Sequence, residues 1–385
     1  MNLALQLAYK NLIGAGLRTW LNVIVLSFAF VVIIFYNGMI NGWNEQAMRD
    51  NIAWEYANGH LLHENYDPLD PFSLEDGHAN IPSDAVSKKL TPILIRQGSI
   101  YPEERMISIA IKGIDFNQNT IKLPTQLLKD SKANIPAIIG KRMADAANLQ
   151  QGDEVLLRWR DKNGTFDAAN ITIAGIFNTN VSTIDKGQIW ISLEKLWQMT
   201  GLTNHATLFL NTSKSIVSID GWKFKSQEEL TKSLTDIIET KQVSGSIMYI
   251  LLLAIALLAI FDTQVLSIFR RQREIGTYIA LGMTRWQVVK LFTVEGSMYS
   301  ILATIVGCIY GIPLFIYMTK TGIGIPAASQ DMGVTISDRI YPVYGISLIL
   351  GTILIVVISA TIVSFMPARK IAKMNPVDAL KGKMQ

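Results

Sequence analysis

Cysteine is almost missing from these 385 residues: the single one, Cys308, lies inside an apolar run, and the polar stretches hold none. No part of the polar sequence can therefore rest on disulfides. Charge is scarce too, at 17% against 49% hydrophobic, which is low for a soluble chain of this size. There is no G-x-x-x-x-G-K-[ST]; the nearest stretch, "IIGKR" at Ile138 to Arg142, lacks the first glycine and the closing Ser/Thr. That excludes ATP binding through a P-loop. Histidine is rare, with four residues, His60, His63, His78 and His205. "HLLHE" (His60 to Glu64) fits neither H-E-x-x-H nor H-x-x-E-H, so no zinc site is assigned. With no catalytic constellation and no cofactor motif, the chain does not read as an enzyme.

Long apolar runs take the place of these missing features. Four of them, at 19–40, 244–269, 289–318 and 342–366, each exceed the roughly 20 residues needed to cross a bilayer. Backbone in lipid must satisfy its own hydrogen bonds, so each is expected to be a helix. The first is longer than a signal-peptide core and no A-x-A-like site follows at Asn41 to Glu45, so it reads as an uncleaved anchor.

Charge orients the spans. Lys10 and Arg18 precede the first; Arg270, Arg271, Arg273 and Arg285 between the second and third, with Lys290 at the very start of the third, face one acid, Glu274; Arg369, Lys370, Lys373, Lys381 and Lys383 face Asp378 after the fourth. These segments together carry +10, whereas 41–243, with 21 basic and 25 acidic residues, carries −4. Short basic loops stay in the cytoplasm. Both termini and the 270–288 segment are thus placed inside, and 41–243 outside. Membrane flanks and anionic lipid account for the basic residues, so no nucleic-acid partner is implied.

The fold class expected is a polytopic α-helical membrane protein with four transmembrane helices and a mixed α/β extracytoplasmic domain between the first two. Alternating apolar residues in "DEVLLRWR" and "NITIAGIF", around "DKNG", predict a hairpin. "GKRMADAANLQQGD" predicts a short helix ended at Gly152, and "GQIWIS" a strand leading into a helix stopped by Gly201. "KSQEELTKSLTDIIETKQ" predicts a helix continuous with the second span, and Asn65 to Asp84 an exposed loop. A short loop is expected at 319–341 and a basic cytoplasmic tail at 367–385.

Asp262 and Glu295 are acids in or beside the bilayer, either functional or capping and paired. Gly307 and Gly311 form a G-x-x-x-G that permits close helix packing. The stretch Arg270 to Lys290 is basic, helix-prone and held between two spans; its residues fit equally a lever or an amphipathic helix on the inner leaflet.

"RRQREIGTYIALGMTRWQVVKLFTVEGSMYSILATIVGCIYG" resembles the signature of FtsX-type permease domains, and "MPARKIAKMNPVDALKGK" is similar to that family's closing pattern, with Lys381 where Arg is usual. The resemblance covers the whole plan, an amphipathic start at 1–18 included. It implies a permease of the type VII ABC transporters, with MacB-like exporters and lipoprotein-releasing LolC/LolE pairs. The family's coupling helix falls on Arg270, Arg271, Arg273, Glu274, Ile275, Gly276, Leu281, Gly282 and Arg285. It implies two copies of a cytoplasmic ABC ATPase carrying ATP and Mg, and a second permease copy or paralogue. The layout implies a bacterial inner-membrane protein closest to the lipoprotein-releasing branch, with lipoprotein cargo and a periplasmic carrier. A MacB-like exporter is the alternative; a membrane receptor with an extracytoplasmic sensing domain is the alternative of another class.

Overall fold

The computed structural model describes residues 17–213, 215–326 and 336–373. The amphipathic segment expected at 1–18 and the closing half of the tail motif therefore lie almost wholly outside the described residues. The chain divides into two compact units, one of residues 44–237 and 324–340, the other of 1–43, 238–323 and 341–385.

The first unit is mixed α/β. Its strands, with two short pairs, are β1 (His60–His63), β2 (Ala79–Asn80), β3 (Thr91–Ile100), β4 (Ile107–Ile114), β5 (Pro136–Gly140), β6 (Glu154–Arg160), β7 (Phe166–Phe177), β8 (Gln188–Ser192), β9 (His205–Ala206), β10 (Leu208–Leu210), β11 (Trp222–Lys225), β12 (Ile323–Gly324) and β13 (Arg339–Ile340). Nine form one sheet in the order β11-β1-β10-β3-β4-β8-β5-β7-β6. β3 also pairs with β6, Gly98 opposite Trp159 and Ile100 opposite Leu157, so the strands from β3 to β6 close into a ring. Closure removes two edges that would otherwise expose unpaired backbone.

Side-chain alternation fills the ring. Val155, Leu157 and Trp159 of β6 are buried while Glu154, Leu156, Arg158 and Arg160 are exposed, the period of two expected of a strand with one wet face. β5 is buried throughout: Ala137 and Ile139 join one core cluster and Ile138 the other, on the opposite face. Gly98 sits where β3 changes partners; a Cβ there would lie 2.6 Å from Ile111 Cδ1 and 2.9 Å from the Arg158 carbonyl.

The predicted hairpin is present, with Leu156 opposite Asn170. The helix Leu193–Thr200 ends on Gly201 at φ +70°, as its sequence predicts. The helix Lys141–Ala147 instead ends on Asn148 in the left-handed conformation, four residues before Gly152. Asparagine tolerates that backbone nearly as glycine does, and so intercepts the helix first. His60 to His63 form a strand, and the 65–84 segment, expected as an exposed loop, includes a helical turn at Pro71–Leu74.

The second unit is helical. α1 (Leu17–Asn51), α2 (Gln227–Arg270), α4 (Arg285–Thr321) and α5 (Ile346–Ala368) are long and apolar enough to cross a membrane, and α3 (Gln272–Ala280) lies between α2 and α4. α2 is unbroken over 44 residues, as predicted. α1 is the enclosed helix: over half of its most apolar stretch is buried, against under a quarter for each of the others. Its Val23, Leu26, Phe30 and Ile34 pack with Leu253, Ala256 and Ile260 of α2, Tyr299 and Ala303 of α4, and Val356 and Ala360 of α5. Asn22, inside the bundle, finds its partner on another helix, donating to Thr263 Oγ1 of α2 at 2.6 Å.

The G-x-x-x-G serves this packing. A Cβ on Gly307 would sit 2.8 Å from Phe30 Cδ1, and one on Gly311 3.0 Å from Val31 Cγ2. Both glycines let α4 approach α1 closely within the chain.

Candidate functional site

The connection between α2 and α4 carries the site. α2 ends at Arg270; Arg271, at φ −101° and ψ 19°, leaves helical geometry, and α3 begins at Gln272. The backbone ladder persists across the bend, with Arg271 N–H donating to the Ser267 carbonyl at 3.0 Å and Ile275 N–H to the Arg271 carbonyl at 2.9 Å. The Arg271 side chain therefore swings out of helical phase and back toward α4.

There its guanidinium lies between two carboxylates. Nε and Nη2 donate to Glu274 at 2.6 and 2.7 Å, and Nη1 donates to both oxygens of Glu295 at 2.9 Å. Tyr278 Oη donates to Glu274 at 2.6 Å. The guanidinium carbon stands 4.8 Å from the centre of the Phe292 ring. Only the planar fork of arginine can serve two carboxylates and a ring face together. The Glu274 hydrogen bonds raise the Arg271 pKa well above its ordinary value against the opposing effect of burial. Arg271 in turn holds the Glu274 carboxyl below its usual range. The Arg271 and Glu295 side chains are 20% and 8% exposed, so this pair is shielded from water and salt.

An apolar cluster supports the pair: Ile268, Ile275, Val288, Val289, Phe292, Ala368 and Ile371 are buried together. Ala368 and Ile371 come from "MPARKIAK", so the described half of the tail motif packs beneath the α2–α4 connection.

α3 stops where its sequence requires. Met283 N–H donates to the Tyr278 carbonyl and Gly282 N–H to that of Ile279, at 3.0 and 3.1 Å, with Gly282 at φ +100°. This is the Schellman arrangement, with glycine at its left-handed position. α4 then opens with a capping box, Thr284 and Gln287 bonding each other's backbone. A sequence reading extends the connection's helix to 288; this stop and restart confines it to Gln272–Ala280 and assigns Arg285 to α4. The T-x-x-Q of "TRWQ" is a legible signal for that restart.

The predicted coupling residues thus divide. Arg271, Glu274, Ile275 and Gly276 turn toward the bundle, while Arg270, Arg273, Leu281, Gly282 and Arg285 are exposed. The two membrane acids are not brought together: Glu295 is held by Arg271, whereas Asp262 is exposed on α2. Composition alone missed Tyr278 and Phe292, and also Gln264 and Ser364, which are buried beside Gly296.

Comparison with known proteins places the α2–α4 connection within a matched family region. Residues 246–376 match the FtsX-like permease C-terminal family. The chain is 23% identical to the lipoprotein-releasing system transmembrane protein LolC of Xylella fastidiosa (strain Temecula1), over 74% of this chain and 76% of that protein. It is 24% identical to an uncharacterized ABC transporter permease, YknZ, of Bacillus subtilis, over 56% of this chain and 50% of that one. To the macrolide export ATP-binding/permease protein MacB of Wolinella succinogenes it is 24% identical, over 42% of this chain and 23% of the relative. With four membrane-length helices and the family match across three of them, residues 246–376 carry an FtsX-like permease domain, in a chain similar to ABC transporter permeases of the LolC and MacB type.

Proposed function

We propose that this permease releases lipoproteins from the inner membrane toward the outer membrane, driven by ATP hydrolysis on a separate subunit. Work enters at α3 and leaves as movement of the α/β unit, which the charge distribution assigns to the periplasm, with both termini cytoplasmic. The exposed Arg270, Arg273, Leu281 and Arg285 form the surface offered to an ABC ATPase, two copies of which carry ATP and Mg. A second permease copy or paralogue completes the assembly, and a periplasmic carrier receives the cargo.

The observation that carries this reading is the Arg271 clamp. A helix tied to α4 through Glu295 and continuous in its hydrogen bonding with the 44-residue α2 passes a push to both spans together. At 1.5 Å per residue α2 is about 66 Å long. Such a helix transmits displacement that a flexible linker would absorb. Aromatic residues support the span limits: Trp20 and Trp286 are exposed near one end of the helices, Tyr317 and Tyr341 near the other.

Lipoprotein cargo is favoured because the likeness to LolC extends over 74% of the chain, well beyond residues 246–376. The alternative, a MacB-like exporter, is supported by likeness to MacB and to the pyoverdine export protein PvdT, each over less than half of the chain.

The test separates docking from integrity. Arg273→Glu is expected to abolish co-purification of the ATPase while leaving insertion and thermal stability intact. Undiminished co-purification refutes docking through α3. Mass spectrometry of the detergent-purified complex decides the cargo: a retained acylated protein supports lipoprotein release, and a retained peptide or small molecule supports the exporter.

A further inference from the structure

At the end of the helical unit opposite the Arg271 clamp, α4 and the start of α5 enclose a groove of about 310 Å³. Ile312, Phe315, Ile316, Thr319 and Lys320 line it from α4, at the spacing i, i+3, i+4, i+7, i+8 of one helix face. Tyr344 and Ile349 line the other side. The groove is fixed rather than a gap between mobile side chains. The Phe315 and Tyr344 rings sit 4.5 Å apart, and Tyr344 lies against Gly38 of α1, where any Cβ would collide with the ring. Val343 N–H donates to the Gly38 carbonyl at 2.8 Å, pinning the segment that carries Tyr344.

Its chemistry is divided end to end. The walls are hydrocarbon and aromatic; a space of about ten water volumes with so few polar partners is poor for water and good for an alkyl chain. The mouth is cationic. Lys320 is exposed there and has no ion-pair partner among the described residues. The N–H groups of Ile346, Ser347 and Leu348, which open α5, receive no side-chain cap from Gly345, while Ile349 N–H donates to the Gly345 carbonyl at 3.2 Å. The Tyr344 phenol oxygen, enclosed at the wall, also has no hydrogen-bond partner among the described residues. An apolar slot ending in a lysine, beside the uncapped start of a helix, complements a molecule with an alkyl tail and an anionic head.

We propose that this groove is a binding site for an anionic phospholipid of the surrounding bilayer. One acyl chain lies along Ile312, Phe315 and Ile316, and the phosphate sits at Lys320 and the start of α5. The site is separate from the α3 surface and does not depend on which cargo the transporter carries. A lipid held there wedges α4 against α5 and ties their packing to the charge of the leaflet.

The test is native mass spectrometry of the full-length chain in detergent, offered phosphatidylglycerol or phosphatidylcholine of equal acyl length. Wild type is expected to retain phosphatidylglycerol about five-fold better, the effect of one lysine near an anionic surface. Lys320→Gln should remove the preference and Lys320→Arg keep it; both change an exposed side chain, so folding is not at issue. Ile316→Trp, which fills the slot, should lower retention of both lipids. Equal retention of the two lipids by wild type overturns the proposal, as does a preference that survives Lys320→Gln. A triacylated peptide that binds with the same dependence on Ile316 but displaces phosphatidylglycerol overturns it as well, in favour of a cargo site.

Discussion

Arg271 Nη1 lies 2.9 Å from both carboxylate oxygens of Glu295, a residue 24 positions later in the chain and on a different helix. Removing one partner of a buried ion pair leaves the other charge desolvated, at a cost of about 3–5 kcal/mol. Arg271→Ala should therefore lower the thermal unfolding midpoint of the detergent-solubilised chain far more than Arg273→Ala, whose side chain is exposed. Equal midpoints for the two variants would show that the pair does not hold the connection in place.

Gly296 follows Glu295 and faces α5. A Cβ there would overlap the Ser364 side chain and come within 2.9 Å of Gln264 Nε2. Gly296→Ala should destabilise the bundle by about 1–3 kcal/mol through overpacking. Ser364→Gly, which removes the obstructing atoms, should recover most of that loss; a double variant no better than Gly296→Ala alone would refute the contact.

Gly282, at φ +100°, has nothing within 4 Å of where a Cβ would be, so any effect of substitution acts through the backbone. Gly282→Ala should cost about 1 kcal/mol, a loss that protease accessibility of the 280–284 turn can follow. If the turn transmits work, ATPase stimulation in the assembled transporter falls in parallel. Unchanged proteolysis would count against the left-handed cap.

His78 and His205 place their Nδ1 atoms 2.9 Å apart, a spacing that accommodates one shared proton and not two. Burial, aided by the positive charge of Arg96 and by His205 and His63 and opposed by Asp76, pushes His78 down to about 4. The unfolded chain thus takes up the proton near the ordinary value of 6.5, before the folded chain does. The contribution to stability is complete above 6.5 and is lost as pH falls toward 4. Wild type should lose more stability than His78→Gln between pH 7.5 and 5, measured by urea denaturation; identical losses would exclude His78 as the cause.

Much of this architecture is legible residue by residue. Thr19 to Asn44 contains no charged residue, and a run of that length permits only a helix in lipid. The alternation around "DKNG" and the glycine after "LEKLWQMT" likewise act over a few residues, where stereochemistry suffices. Less legible is anything joining distant positions. Arg271 and Arg273 look equivalent in "RRQRE", yet one is held inside and the other is exposed, because a bend between α2 and α3 rotates only the first out of phase. The closing of β3 on β6 is hidden for the same reason: Gly98 and Trp159 are 61 positions apart and neither carries a mark of the other.

Taken alone, the sequence determined the four membrane-length apolar runs, the long helix through Gln227 to Arg270 and the basic character of the connection, because hydrophobic length, periodicity and charge are local properties. The tertiary structure decided which charges pair, which glycines touch a neighbour and where an apolar slot meets an exposed lysine. Those outcomes depend on side chains from separate elements arriving within a few ångströms of one another, and only the packed chain sets such distances.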